Sequence, residues 1–400
     1  MIGVTVVTGA INFAASAVFG RMLGPVGFGV YSSMSVVVTV VTMASGVLQT
    51  ATTRQVAVMA ASGGVAGVGP LLLLLARRAA LACLVLSGAM VGLAWPLARV
   101  LRLESWGPVV VTASVVIPVA VVSLLVGGLH GRERFGDMGL VVVVKYASRL
   151  LLGAILVGLG LGASGALAAA PLSAVIGLLL AAYWQRDHFR RRDLAAPVEP
   201  AAVSGWLRSS APVLVGLTAG ATLFNLDLLL SKARFAPRLA GIYAAVAALG
   251  RVPLYLSYGI GSVVLPRSSA RGASGVPTAP VLRAGLVATA AVIAPAVLLY
   301  YLFPGPLLGA LFGPAYLELS PLLGHYGLAL SALSLANICL VHALGCRDWV
   351  FPGAVLAMLA LVVGAQALIP SPGPGHMVAL MGGAGVVLLG LGAVRFLAHR

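Results

Sequence analysis

Most of this chain lacks a polar stripe at helical spacing. Uncharged, apolar runs of about 20 residues follow one another, separated by short clusters of Arg, Gly and Pro. The stretches 28–50, 107–129 and 164–184 contain no Asp, Glu, Lys or Arg at all. A helix that is apolar on every side belongs in lipid or deep inside a bundle, so this pattern predicts membrane spans. Twelve are expected, at 1–20, 28–50, 79–98, 107–129, 138–160, 164–184, 211–231, 239–263, 284–303, 320–343, 350–369 and 376–397. The predicted fold class is all-α: a polytopic membrane protein with two six-helix lobes, 1–184 and 210–400, joined by a polar linker at 185–209.

The stretch 56–75 is apolar enough to cross, but Gly63, Gly64, Gly67, Gly69 and Pro70 interrupt it. Loop charge decides its reading. With twelve spans, one set of loops collects Arg54, Arg77, Arg78, Arg132, Arg134, Arg186, the run Arg190-Arg191-Arg192, Arg208, Arg267, Arg271, Arg283 and Arg347, and the same side holds Arg395 and Arg400. The opposite loops hold only Arg21, Arg99, Arg102, Lys232, Arg234 and Arg238. The positive-inside rule then places both termini, the linker and the 52–78 segment in the cytoplasm, and 56–75 becomes a cytoplasmic or interfacial lead into the third span. A thirteenth span would scramble this bias.

Composition agrees: 60% of residues are hydrophobic, 8% are charged, and the mean hydropathy is +1.09. The net charge of +16 is spread over short loops, so it reads as membrane orientation and not as a nucleic-acid surface. The first segment has no basic n-region or small-residue cleavage site, and it is expected to stay in the mature chain. Cys83, Cys339 and Cys346 show no metal-ligand spacing and read as packing residues, with no cofactor implied.

The two halves echo each other. Gly29-Val30-Tyr31 resembles Gly241-Ile242-Tyr243, Arg54 matches Arg267, and Leu129-His130-Gly131-Arg132 matches Leu344-Gly345-Cys346-Arg347, with offsets of 212, 213 and 215 residues. Two six-span halves of one orientation would be related by an axis along the membrane normal.

Ionisable groups inside the spans are few, and each is costly in hydrocarbon, so each is expected to line a cavity or to have a buried partner. Lys145 and Arg149, at i and i+4, share one helix face. Arg251, Tyr255 and Tyr258 fall on one stripe, interrupted by Pro253, which can kink the helix. Asp227 is the only acid clearly inside a span, and it either pairs with a cavity arginine or binds a coupling ion. His325 and His342 read as packing residues. Arg21, Lys145, Arg149 and Arg251, with Tyr255, form the candidate cationic cavity. No GxxxxGK[ST], HExxH or GxSxG occurs, so neither ATP hydrolysis through a P-loop nor membrane hydrolase chemistry is indicated, and the chain is not expected to be an enzyme.

Several motifs in order resemble one family. Arg21-Met22-Leu23-Gly24-Pro25-Val26-Gly27-Phe28-Gly29-Val30-Tyr31 resembles the signature after the first helix of bacterial oligosaccharide flippases, the O-antigen and exopolysaccharide branch of the multidrug/oligosaccharidyl-lipid/polysaccharide exporter superfamily. Gly131-Arg132-Glu133-Arg134-Phe135 is similar to that family's basic turn before helix five. Asn225-Leu226-Asp227 followed by Gly241-Ile242-Tyr243 and Leu265-Pro266-Arg267 is similar to its second-half pattern, and Leu311-Phe312-Gly313-Pro314-Ala315-Tyr316 to the segment that follows its helix nine. The basic residues that many relatives carry ahead of helix one are not present here.

The resemblance implies a two-lobed bundle with a central cationic cavity, alternating between inward-open and outward-open states, and an undecaprenyl-diphosphate-linked glycan as substrate. Besides the lipid bilayer, partners would be a polysaccharide polymerase and glycosyltransferases. A lipid II flippase and a multidrug cation antiporter share the fold; the antiporter needs accessible carboxylates, for which only Asp227 qualifies. A membrane-embedded glycan ligase or polymerase would need catalytic groups in a large external loop, and the longest such loop, 303–320, carries only Glu318 as a charged residue.

Overall fold

The computed structural model describes residues 2–61, 67–189, 200–370 and 373–397. Among them the first part of the chain forms α1 (Ile2–Ala61), α2 (Val68–Gly92), α3 (Ala94–Val100), α4 (Gly107–Ala113), α5 (Val116–Gly131), α6 (Phe135–Leu156) and α7 (Gly162–Trp184). There follow α8 (Pro200–Leu223), α9 (Leu226–Arg234), α10 (Pro237–Gly250), α11 (Val252–Ala273) and α12 (Ala279–Leu302). The chain closes with α13 (Pro304–Phe312), α14 (Leu322–Gly345), α15 (Val350–Leu368) and α16 (Pro374–Leu397). No strand occurs among the described residues.

Among the described residues, eight helices or helix runs are long and apolar enough to cross a membrane, and ten if the bent pairs α8–α9 and α10–α11 each make one span. Two of the eight, Val7–Ala61 and Phe135–Trp184, are 55 and 50 residues long, which at about 1.5 Å per residue is more than twice the thickness of a bilayer core. Each is two spans joined at glycines. α1 breaks at Gly24 (φ 64°, ψ 177°), a backbone conformation that side-chain-bearing residues avoid. α6 passes into α7 through Gly160 (φ 86°) and Gly162 (φ 54°). Counting both halves of each gives the twelve spans expected, and the chain is a multi-pass membrane protein.

The described parts of the stretch 56–75, residues 56–61 and 68–75, form no separate span and are helical. Residues up to Ala61 prolong α1, and α2 begins at Val68. Val56, Val68, Leu71, Leu72 and Leu75 are buried in one cluster with Val122, Leu125 and Leu129 of α5, Val141 of α6 and Ala181 of α7. The apolar character of this stretch is therefore used against protein and not against lipid. The run Arg190-Arg191-Arg192, Asp193 and the other residues 190–199 of the predicted linker lie outside the described residues.

The chain divides into two compact units: residues 1–22 with 37–215, and 23–36 with 216–400. Only the first part of the segment after the break in α1, up to Val36, thus belongs to the second unit. There Gly29 lies against Gly241, so close that a Cβ on Gly241 would sit 1.6 Å from the Pro25 carbonyl oxygen. Each unit is built around one deeply buried helix. In the first, α5 packs against α2, α6 and α7; in the second, α14 packs against α10, α11, α12 and α16. Small residues set how near the neighbours come, as helices in lipid require.

The end of that central helix is built the same way in both units. A Cβ on Gly131 would meet the Thr53 carbonyl oxygen at 2.5 Å, with Val56 and Ala57 next; one on Gly345 would meet the Leu265 carbonyl oxygen at 2.8 Å, with Ser268 and Ser269 next. Both turns close through a positive-φ residue, Glu133 (φ 59°) and Arg347 (φ 57°). The Arg134 amide then donates to the Leu129 carbonyl at 3.0 Å, and the Asp348 amide to the Ala343 carbonyl at 2.8 Å. Gly131 therefore corresponds to Gly345, one position nearer than the sequence alignment of these turns.

Candidate functional site

In the first unit, Lys145 and Arg149 stand one turn apart on α6, both partly exposed, and line one recess. Its walls come from Val38 and Thr42 of α1, Val119 of α5, and Ala170, Ser173 and Ala174 of α7. The hydroxyls there are turned to their own helices: Thr42 donates to the Val38 carbonyl at 2.7 Å and Ser173 to the Ala170 carbonyl at 2.9 Å. No carboxylate lines the recess. Lys145 Nζ lies 5.0 Å from the Tyr146 ring centroid, and Gly177 lets α7 lie against the lysine stem. The open space is about 20 Å³, enough for about one water. Arg21, at the end of the first segment of α1 and exposed, does not line it.

In the second unit, two helix breaks meet in a charge cluster. α8 and α9 bend by 43° at Asn225, whose side-chain amide donates to the Ala221 carbonyl at 2.8 Å; α10 and α11 bend by 41° at Arg251. Asp227 lies in the first turn of α9, where the free amides and helix dipole favour a carboxylate, and Arg251 caps the C-terminus of α10, where they favour a cation. Arg251 Nη2 forms an ion pair with Asp227 Oδ1. Asp227 Oδ2 accepts from the hydroxyls of Tyr243 at 3.0 Å and Tyr326 at 2.8 Å. The Tyr326 ring also lies under the guanidinium, 5.7 Å from its carbon, and bare Gly250 admits it: a Cβ there would be 2.4 Å from the ring.

This geometry revises the reading of Arg251. It is 1% exposed and Asp227 is fully buried, so the arginine is a paired structural charge here and not a solvated cavity group. Lys145 and Arg149 belong to one unit and Arg251, Asp227 and Tyr255 to the other. Tyr255 is exposed, with its ring 6.1 Å from that of Tyr258. The Tyr258 hydroxyl is buried and has no partner among the described residues. The break falls at Arg251, and Pro253 occupies the first turn of α11 instead of kinking a continuous helix. His342 is buried with Nδ1 2.9 Å from the Ser268 hydroxyl, while His325 is exposed. The sequence does not single out Tyr326, and it marks Tyr243 only through the internal repeat and the family motif; neither carries a local signal of a carboxylate partner. No group of three or more His, Cys, Asp or Glu that could hold a metal occurs among the described residues.

A family model described as polysaccharide biosynthesis protein matches residues 1–270. No curated protein matches the sequence. Among solved structures, the fold is similar to an inward-facing multidrug resistance MATE family transporter of the MOP superfamily, with TM-score 0.76 and 15% identity over 98% of this chain and 95% of that one. It is also similar to the lipid II flippase MurJ in an inward closed conformation, with TM-score 0.69 and 10% identity over 98% and 87%. A MOP superfamily transporter from Pyrococcus furiosus aligns with TM-score 0.62 and 15% identity over 99% and 96%. At such identities the likeness is one of fold: two lobes and twelve helices.

Proposed function

Because the chain belongs to the polysaccharide biosynthesis protein family, we propose that it is a flippase-type transporter that carries a polyprenyl-diphosphate-linked oligosaccharide across the bacterial cytoplasmic membrane by alternating access. The observation that supports this cargo is the Lys145–Arg149 pair, two cations on one face of a recess that no carboxylate lines. A diphosphate and its sugars lose hydration in hydrocarbon that lipid cannot replace. Charge-assisted hydrogen bonds from Arg149 and the ammonium of Lys145 replace it, with the guanidinium offering forked geometry to phosphate. The polyprenyl tail stays in lipid while the head crosses. A recess of about 20 Å³ is too small for a diphosphate, so α1 and α5 must part from α6 and α7 to admit one.

The multidrug antiporter reading is less well supported, because Asp227 is already held by Arg251, Tyr243 and Tyr326. The deciding experiment is translocation by the purified protein in proteoliposomes, with undecaprenyl-diphosphate-linked oligosaccharide, lipid II and an organic cation offered in parallel. Oligosaccharide-lipid transport that falls at least tenfold in Lys145→Ala and Arg149→Ala at matched incorporation is the expected result. Full transport by the double variant, or transport of the cation alone, overturns the proposal.

A further inference from the structure

A second, larger cavity lies in the other unit, between the last two helices. Where α15 begins and α16 ends, a groove of about 480 Å³ lies between them, within the range of small-molecule sites. Val350 and Ala354 of α15 form one wall and Leu391 and Val394 of α16 the other, with Asp348 and Arg395 at the mouth. The apolar surface continues along α16, since Val387, Leu391 and Val394 are spaced i, i+4 and i+7 and are 51%, 48% and 65% exposed. This stripe spans about 10 Å of helix.

The mouth is polar in a specific way. Asp348 Oδ1 accepts from the Val350 amide at 2.9 Å, and Oδ2 accepts from Arg395 Nε at 2.5 Å, so the carboxylate is fully engaged. The Arg395 side chain remains 42% exposed, and its two terminal nitrogens have no partner among the described residues. Arg347, the residue before Asp348 in the chain, is also exposed, although it does not line the groove, so the mouth and the turn that borders it carry two cations against one carboxylate. Exposed Trp349 stands next in sequence, an amphipathic ring of the kind that settles at headgroup depth.

We propose that this groove binds one anionic diacyl phospholipid, its phosphate on the terminal nitrogens of Arg395 and one acyl chain along the Val387–Leu391–Val394 stripe. In a membrane an apolar groove open to the side is filled by hydrocarbon, and the excess positive charge at its mouth selects the headgroup. The Asp348 carboxylate orients the guanidinium through Nε and leaves its fork toward the phosphate. The site is separate from the Lys145–Arg149 recess, and its occupant is a resident lipid and not cargo.

Native mass spectrometry of the full-length protein in mild detergent tests this with three probes: phosphatidylglycerol, phosphatidylcholine of the same chains, and undecaprenyl phosphate. One phosphatidylglycerol should be retained at least tenfold more strongly than phosphatidylcholine. Arg395→Gln should abolish that preference, Arg395→Lys should keep part of it, and Ala354→Trp, which fills the groove, should remove both lipids. Each variant is checked for a monodisperse elution profile, and if one fails to fold, the wild-type comparison and the other variants decide. Equal retention of the two phospholipids, indifference to Ala354→Trp, or displacement of phosphatidylglycerol by undecaprenyl phosphate overturns the proposal.

Discussion

Replacing Asp227 by Asn removes one charge from the middle of the second unit while leaving an acceptor oxygen for the Tyr243 and Tyr326 hydroxyls. What is lost is the counter-charge of Arg251, a guanidinium that is 1% exposed. Breaking one side of a buried pair costs about 3–5 kcal/mol, because the remaining ion stays desolvated. Asp227→Ala also orphans the two tyrosine hydroxyls, each adding about 1–3 kcal/mol. Asp227→Asn combined with Arg251→Gln leaves no lone charge, and it should be more stable than either single variant. In a double-mutant cycle measured by denaturant unfolding in detergent, a coupling at least as large as the greater single loss, about 3–5 kcal/mol, is expected. Additive losses, with a coupling below about 0.5 kcal/mol, would falsify the picture of a mutually dependent pair.

The paired glycine turns predict matched effects: Gly131→Ala and Gly345→Ala should each destabilise by about 1–3 kcal/mol, because a carbonyl oxygen must move aside, while Gly46→Ala, with open space around it, should be neutral in the same unfolding assay. Gly241→Ala should be the most damaging of the set, its Cβ falling on the Pro25 carbonyl, and folded yield on size-exclusion chromatography reports it. Gly24→Ala should cost about 1–3 kcal/mol through backbone strain alone, since φ 64°, ψ 177° is close to a glycine-only conformation; a wild-type melting curve would refute the break. The loop charges predict that a single cysteine at position 193, replacing Asp193, is labelled by an impermeant reagent only from the cytoplasmic side; labelling from outside intact cells inverts the topology.

The spans were legible because hydrocarbon demands long apolar runs, whereas the continuous helical joints through Gly24 and Gly160 were not, since a glycine in sequence does not announce which conformation it adopts. The prolongation of α1 to Ala61 and the start of α2 at Val68 were not, since hydropathy treats a face buried in protein and one buried in lipid alike. For the charges, sequence narrowed the choice for Asp227 to an arginine partner or an ion, without fixing which. Arg251 lies 24 residues away on another helix, and Tyr326 lies 99 residues away, so no local spacing announces either. The depth of burial at Arg251 depends on the ring that Gly250 admits, which only the assembled bundle determines.

The charge cluster also bears on the order in which the chain enters the membrane. The bent segment α8–α9 carries Asp227 within its apolar run and Lys232 and Arg234 in its last turn, and near the bilayer centre a group such as Asp227 resists insertion by about 2.5–3.5 kcal/mol. Its partners are synthesised later: Arg251 with the next span, Tyr326 with α14, and the carbonyls of Gln366 and Ile369, which Arg234 reaches at 2.7 and 2.6 Å, only at the end of α15. A nascent chain halted before α14 therefore holds a segment that lipid alone accommodates poorly, and it should remain beside the insertion machinery until the later helices emerge. Truncation after α12 is thus expected to prevent stable integration of α8–α9 itself, far from the cut.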